Sequence, residues 1–345
     1  MQNEITKNTV VPNSDGKVEN PGWARYEYMK YNRDNIKASW FRKKEWDYYL
    51  FNTEDFAFAF TISDLGYAGL LSASVIDLKN AKEHTESEVI FLTRGKKFGL
   101  GTSTDHYFAE CHTKRLDLVF DGENAIRTIN CTFKSFDGEK NLKADLKVYQ
   151  PEMESMYICT PWKEKETAFY YNCKMNCLEA EGVVVYGNKE IRINRGECFG
   201  CLDWGRGVWT YDNTWYWGTG SGLLNGKLFG INLGYGFSDR TKASENCIYY
   251  DKKIHKLDKV KFNIQENENG EKLYTSPWKV TSNDGTFEAD FMPIIDRNAK
   301  MNFLVISTDQ HQVFGKLTGF AILEDKTKLE FKDFICALEV VKNRY

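Results

Sequence analysis

The sequence predicts an all-β protein built as two tandem antiparallel barrels, on three observations. Apolar residues recur with period two along most of the chain, the pattern of strands with one buried face. Aromatic residues make up 15% of the 345 positions and prolines number only six, a usage typical of sheets. A turn-plus-strand signature in the first half returns in the second.

The elements follow in order. Residues 1–22 carry Asn, Ser, Pro, Gly and charge without periodicity and read as a flexible N-terminal arm. Phe56, Phe58, Phe60 and Ile62 alternate with small or polar residues. So do Leu116, Leu118 and Phe120, then Ile129, Cys131 and Phe133, then Leu142, Ala144, Leu146 and Val148. Asp121-Gly122 and Asp137-Gly138 between them are dipeptides that supply positive φ in tight hairpins. The second half adds strands over 228–233, 245–250, 254–264, 287–291, 313–323 and 329–341. Short helices fit only at 65–82 and in the C-terminal segment.

Ser135-Phe136-Asp137-Gly138, followed by Leu142 to Leu146, is echoed by Ser282-Asn283-Asp284-Gly285, followed by Phe287 to Phe291. Ala144 and Ala289 occupy matching places 145 residues apart. Arg115-Leu116-Asp117 is likewise echoed by Lys256-Leu257-Asp258. Matches in the same order point to duplication of an antiparallel unit, each copy the size of an up-and-down barrel able to keep an interior pocket. The expected domains are therefore 23–195 and 196–345.

The totals narrow the partners. With 46 basic and 49 acidic residues, net charge −3 and no basic block, no field draws the chain to nucleic acid. No apolar run is long enough to span a bilayer and the N-terminus lacks a secretory pattern. Nine scattered cysteines suit a reducing compartment. A cytoplasmic protein with no membrane span is expected; its oligomeric state is left open.

The functional question gathers in residues 201–222, CLDWGRGVWTYDNTWYWGTGSG, which hold four of nine tryptophans. Strand parity puts Trp215, Trp217, Thr219 and Ser221 on one face and Tyr216, Gly218, Gly220 and Gly222 on the other. A face of alternate glycines marks either a crowded barrel corner or the close approach of a ligand. Upstream, Asp203 and Arg206 are either a buried salt bridge or a catalytic acid, desolvated by indoles, beside a guanidinium. Glu245, if interior, needs a partner, for which Arg206 is the candidate; Asn246 sits beside it.

Other constellations are weaker. Cys198 and Cys201, with Cys173 and Cys177 upstream, only half meet zinc spacing. Residues 95–103 share only composition with a phosphate loop. The five histidines show no metal spacing, and no nucleophile elbow is present. No metal and no cofactor are expected.

The run Phe199 to Trp209, with Trp215, Trp217, Gly218, Ser221 and Gly222, resembles the signature of domain of unknown function 2804. So do Gly234-Tyr235-Gly236-Phe237, Glu245-Asn246, His255-Lys256-Leu257, Ser276-Pro277-Trp278 and residues 313–319. More distantly, the architecture and aromatic richness are similar to the two-domain lipocalin-like group that includes carotenoid hydratases, which protonate an isoprenoid double bond and add water to it. That resemblance implies two lipocalin-like barrels, but no motif carries those enzymes' catalytic residues onto this chain.

The leading expectation is a cofactor-independent enzyme that hydrates, dehydrates or isomerises an apolar lipid- or terpenoid-like molecule by proton transfer. Asp203 or Glu245 would be the acid or base, and Arg206 would orient a carboxylate. Trp204, Trp209, Trp215 and Trp217 would line the pocket and stabilise a developing cation, with Tyr211 and Asn246 as further ligand-binding candidates. The alternatives are a non-catalytic lipid-binding or stress-associated protein, in which Asp203 and Arg206 form a buried strut, and, more weakly, carbohydrate binding.

Overall fold

A computed structural model describes residues 2–303 and 305–344. Strands dominate, and they form two large curled antiparallel sheets, one 13-stranded and one 9-stranded. No α-helix occurs among the described residues; the segments that could have held one are the strands Ala68–Asp77 and Lys328–Arg344. Both carry apolar residues on one face, and sheet pairing on each side satisfies their backbones.

Both sheets are antiparallel meanders of the same design. In the first, Lys43–Asn52, Phe56–Asp64, Ala68–Asp77 and Lys82–Phe91 pair in succession, and His106–His112 begins a second run that ends with Lys165–Tyr186 and Phe199–Val208. The last strand, Phe199–Val208, pairs with the first, Lys43–Asn52. In the second sheet Asp212–Leu224 opens the meander and pairs with the final strand, Lys328–Arg344. Each curled sheet is thus hydrogen-bonded around its circuit except at one seam. The seam lies between Lys82–Phe91 and His106–His112 in the first, and between Lys253–Lys256 and Val260–Asn263 in the second.

The sequence echoes fall on equivalent places. Asp137-Gly138 turns between Ile126–Asp137 and Lys140–Tyr149, and Asp284-Gly285 turns between Trp278–Ser282 and Phe287–Phe303. Gly138 (φ 62°) and Gly285 (φ 72°) take the left-handed conformation such turns need. Asp121-Gly122 does not turn; it lies inside Leu116–Glu123, and the reversal falls at Asn124, φ 57°.

The strand Phe199–Val208 stays in the first sheet, so the change of sheet comes at 209–211, beyond the expected boundary at 195/196. Residues 2–22 are not loose. Thr9–Val11 pairs with Met29–Tyr31, Ile5, Val11 and Val18 are buried, and Asn3 N donates to Lys242 O. The arm crosses to the second barrel, and its scattered apolar residues are its anchors.

Three apolar clusters fill the molecule, one in each barrel and a smaller one between them that includes Leu50, Ala59, Cys201, Trp217, Phe314 and Ala337. A bulge in Lys165–Tyr186 locks the two halves. Asn176 Nδ2 donates to Thr219 Oγ1 (2.9 Å) and Ile231 O (3.0 Å), while Cys177 N donates to Ser221 Oγ (2.9 Å). The glycine face opposite Thr219 and Ser221 is a crowded barrel wall. A Cβ on Gly218 would press Leu338, and one on Gly220 would press Phe334.

Candidate functional site

Parity along Phe199–Val208 decides which residues can meet. Positions 203 and 206 differ by three, so they face opposite sides of the sheet. Arg206 and Trp204 point into the first barrel, where the guanidinium carbon lies 4.0 Å from the Trp204 ring centroid. Nη1 of Arg206 sits 2.9 Å from Oδ1 of Asp47, both side chains fully buried, and Nε and Nη1 donate to Gly101 O, Trp46 O and Gly205 O. Arg206 is thus a strut, and the expectation that it pairs with Asp203 or Glu245 is corrected. Burial raises the Asp47 carboxyl above its usual range against the opposing pull of Arg206.

Asp203 faces the second barrel, and its partner is Lys174, Nζ to Oδ2 2.7 Å. Asn172 Nδ2 (2.7 Å) and Trp46 Nε1 (3.2 Å) donate to Oδ1. Gly205 makes room for that indole, since a Cβ there would overlap the Trp46 ring. Asp203 retains 8% exposure beside the partly exposed rings of Trp46, Tyr48 and Trp215. Trp217 closes the inner side; Lys174 Nζ lies 4.5 Å from its ring centroid, and Tyr48 meets it edge-on.

Two further carboxyls come from the second barrel. Glu245 is 2% exposed and accepts from Tyr170 Oη at 2.8 Å; Gly234 leaves the space its carboxyl fills. Burial pushes Glu245 up, Lys174 opposes this and Asp203 adds to it. Glu339 accepts from Trp215 Nε1 (2.8 Å), Gln312 Nε2 (2.9 Å) and Gln310 Nε2 (3.2 Å), and burial raises it too. Burial lowers Lys174, but Asp203 and Glu245 outweigh it and leave its net shift upward. The cluster sets three carboxyls around one lysine, with Arg297 acting on Glu339, and burial holds two of the carboxyls above their ordinary range.

The remaining sequence candidates divide. Trp217 and Trp215 belong to the cluster, and Trp217 also donates to Asn232 Oδ1 at 2.9 Å. Trp209 is packed solid against Trp46, Trp162, Tyr170, Trp215 and Phe237; it lines no hollow, and Trp204 is buried in the first core. Tyr211 is 46% exposed and its hydroxyl donates to Val305 O, away from Asp203. Asn246 is a clip, accepting from Gly234 N (2.7 Å) and donating to Asp258 O (2.8 Å). Trp46, Tyr48, Lys174 and Glu339 were missed. Parity in Lys43–Asn52 could have put Trp46 and Tyr48 on one face, but nothing local links them to a residue some 157 positions away.

All nine cysteines are free and buried, and no cluster among the described residues has the make-up of a metal site. No described helix is long and apolar enough to cross a membrane.

A two-barrel all-β protein with a polar cluster between the halves is the class that fold and site define. The chain belongs to the family described as Domain of unknown function (DUF2804), which matches residues 2–345. No curated protein matches it. Among solved structures it is similar to kievitone hydratase from Nectria haematococca, with 11% identity over 88% of each chain and TM-score 0.48. It is also similar to a candidate AttH protein from Nitrosomonas europaea, with 10% identity over 87% of this chain and 92% of that one, TM-score 0.44.

Proposed function

We propose that the chain catalyses proton transfer on a small molecule, as a hydration, dehydration or isomerisation, at the Asp203–Lys174 cluster between the barrels. One observation carries the reading: buried Glu245 and Glu339, both raised by burial, flank the Lys174–Asp203 pair. Asp203 is the accessible group that meets the substrate, and the raised carboxyls hold the proton that is delivered or returned. The rings of Trp46, Tyr48 and Trp215 supply apolar contact and π-faces toward a developing cation. The second reading is a non-catalytic lipid-binding or stress-associated protein, and the packing of Trp204 and Trp209 into cores favours it.

Proton transfer to carbon leaves a label in heavy water. Purified protein incubated with a small-molecule extract in D2O is expected to place deuterium in one or a few compounds, read by mass spectrometry. Asp203→Asn should lose that labelling while keeping its circular dichroism spectrum. Absence of any wild-type label, or equal labelling by Asp203→Asn, overturns the proposal.

A further inference from the structure

The unpaired seam of the second barrel opens into a cleft of about 1690 Å³ that Asp203 and Lys174 do not line. Its walls include Tyr216, Tyr235 and Phe262 from the barrel, Gln2 and Trp23 from the N-terminal segment, and Lys256 at the seam itself. Lys256 closes the strand Lys253–Lys256, where sheet pairing stops. Its Nζ donates to Ser244 O and lies 4.0 Å from Met156 Sδ and 4.9 Å from the Trp23 ring centroid. Among the described residues no carboxylate stands within ion-pair distance of it.

This setting differs from that of the other lysines bordering the cleft. Lys272 donates to the Tyr216 hydroxyl at 2.6 Å. Lys256 instead offers an amine between an indole and a thioether. Burial lowers it to about 8, while Cys247, Glu245 and Glu324 pull upward and Arg25 adds to the lowering. An amine that sheds its proton near neutrality, in a cleft with room for a ligand, is a nucleophile.

We propose that Lys256 is a carbonyl-capturing residue that holds a small aldehyde or ketone in the seam cleft as an imine. The Nζ lone pair attacks the carbonyl carbon, a proton passes from nitrogen to oxygen to give the carbinolamine, and loss of that hydroxyl together with the remaining N–H proton as water leaves the C=N bond. No oxidant or reductant is needed. The proposal does not rest on proton transfer at Asp203: Glu245 acts on both Lys174 and Lys256, but Asp203 and Lys174 do not line the seam cleft.

The test traps the imine. Full-length protein is treated at pH 7 with butanal and sodium cyanoborohydride, and the alkylated lysines are mapped by peptide mass spectrometry over time. Lys256 is expected to be modified roughly ten- to hundred-fold faster than exposed Lys252 and Lys253, from its larger neutral fraction. Lys256→Met should remove that fast phase and Lys261→Met, in the same cleft, should keep it. Label spread evenly over surface lysines, or an unmodified Lys256, overturns the proposal. If Lys256→Met does not fold, the wild-type time course decides alone.

Discussion

The strand Phe199–Val208 carries two ion pairs within four residues, one on each face. Arg206–Asp47 lies wholly inside the first barrel, whereas Asp203–Lys174 lies between the barrels and keeps a little access to solvent. The first is fixed by backbone carbonyls and one aromatic face, and its neighbours are core. The second is crowded by other titratable groups whose protonation it influences. Similar chemistry three residues apart is thus divided into a strut and a cluster of titratable groups, and the sheet itself is the partition.

The sharpest test of that division is Arg206→Met. It strands Asp47 in the core and should cost about 3–5 kcal/mol in urea unfolding, and pairing it with Asp47→Leu should restore most of the loss. Asp203→Asn should cost less, about 1–3 kcal/mol, yet remove deuterium labelling; equal stability losses with labelling intact would erase the distinction. Trp46→Phe removes one donor from Asp203 and should cost about 1 kcal/mol, with labelling slowed rather than lost.

The smallest effect is on pH dependence. Glu245 and Glu339 are raised in the folded state above the ordinary 4.5, so the native chain holds protons the unfolded chain has released. Their contribution is fully present below about 4.5 and is lost as pH rises through the folded values. Thermal melts across that window should slope downward with pH from these groups, and Glu245→Gln should flatten the slope. An unchanged slope would mean that the carboxyl titrates alike in both states.

The fold was largely readable because alternation and turn dipeptides are local signals. The matching hairpins at Gly138 and Gly285 were visible in the sequence alone. The sheet boundary was not, because Phe199–Val208 is fully buried and its composition does not say which sheet it joins. Asp203, Trp215 and Trp217 stand out in the sequence because aromatic and acidic residues crowd one short run, and Glu245 stands out as an acid on an apolar strand face. Arg206 pairs with Asp47 instead of with these acids, and strand parity alone forbids its pairing with Asp203. Lys174 and Glu339 lie in apolar alternating strands where nothing nearby flags them; only closure of two barrels against each other makes them neighbours.

Both barrels interrupt their hydrogen-bonded circuit at one seam, and the two interruptions have met different fates. The first is stopped by its own connecting loop, whose Phe98 and Leu100 are buried while the Gly101 carbonyl caps Arg206. The second is bridged only by the short connection 257–259, and a cleft remains beside it. A fold made of two such circuits can plug one opening with its own loop while the other keeps an open cleft along its unpaired edge.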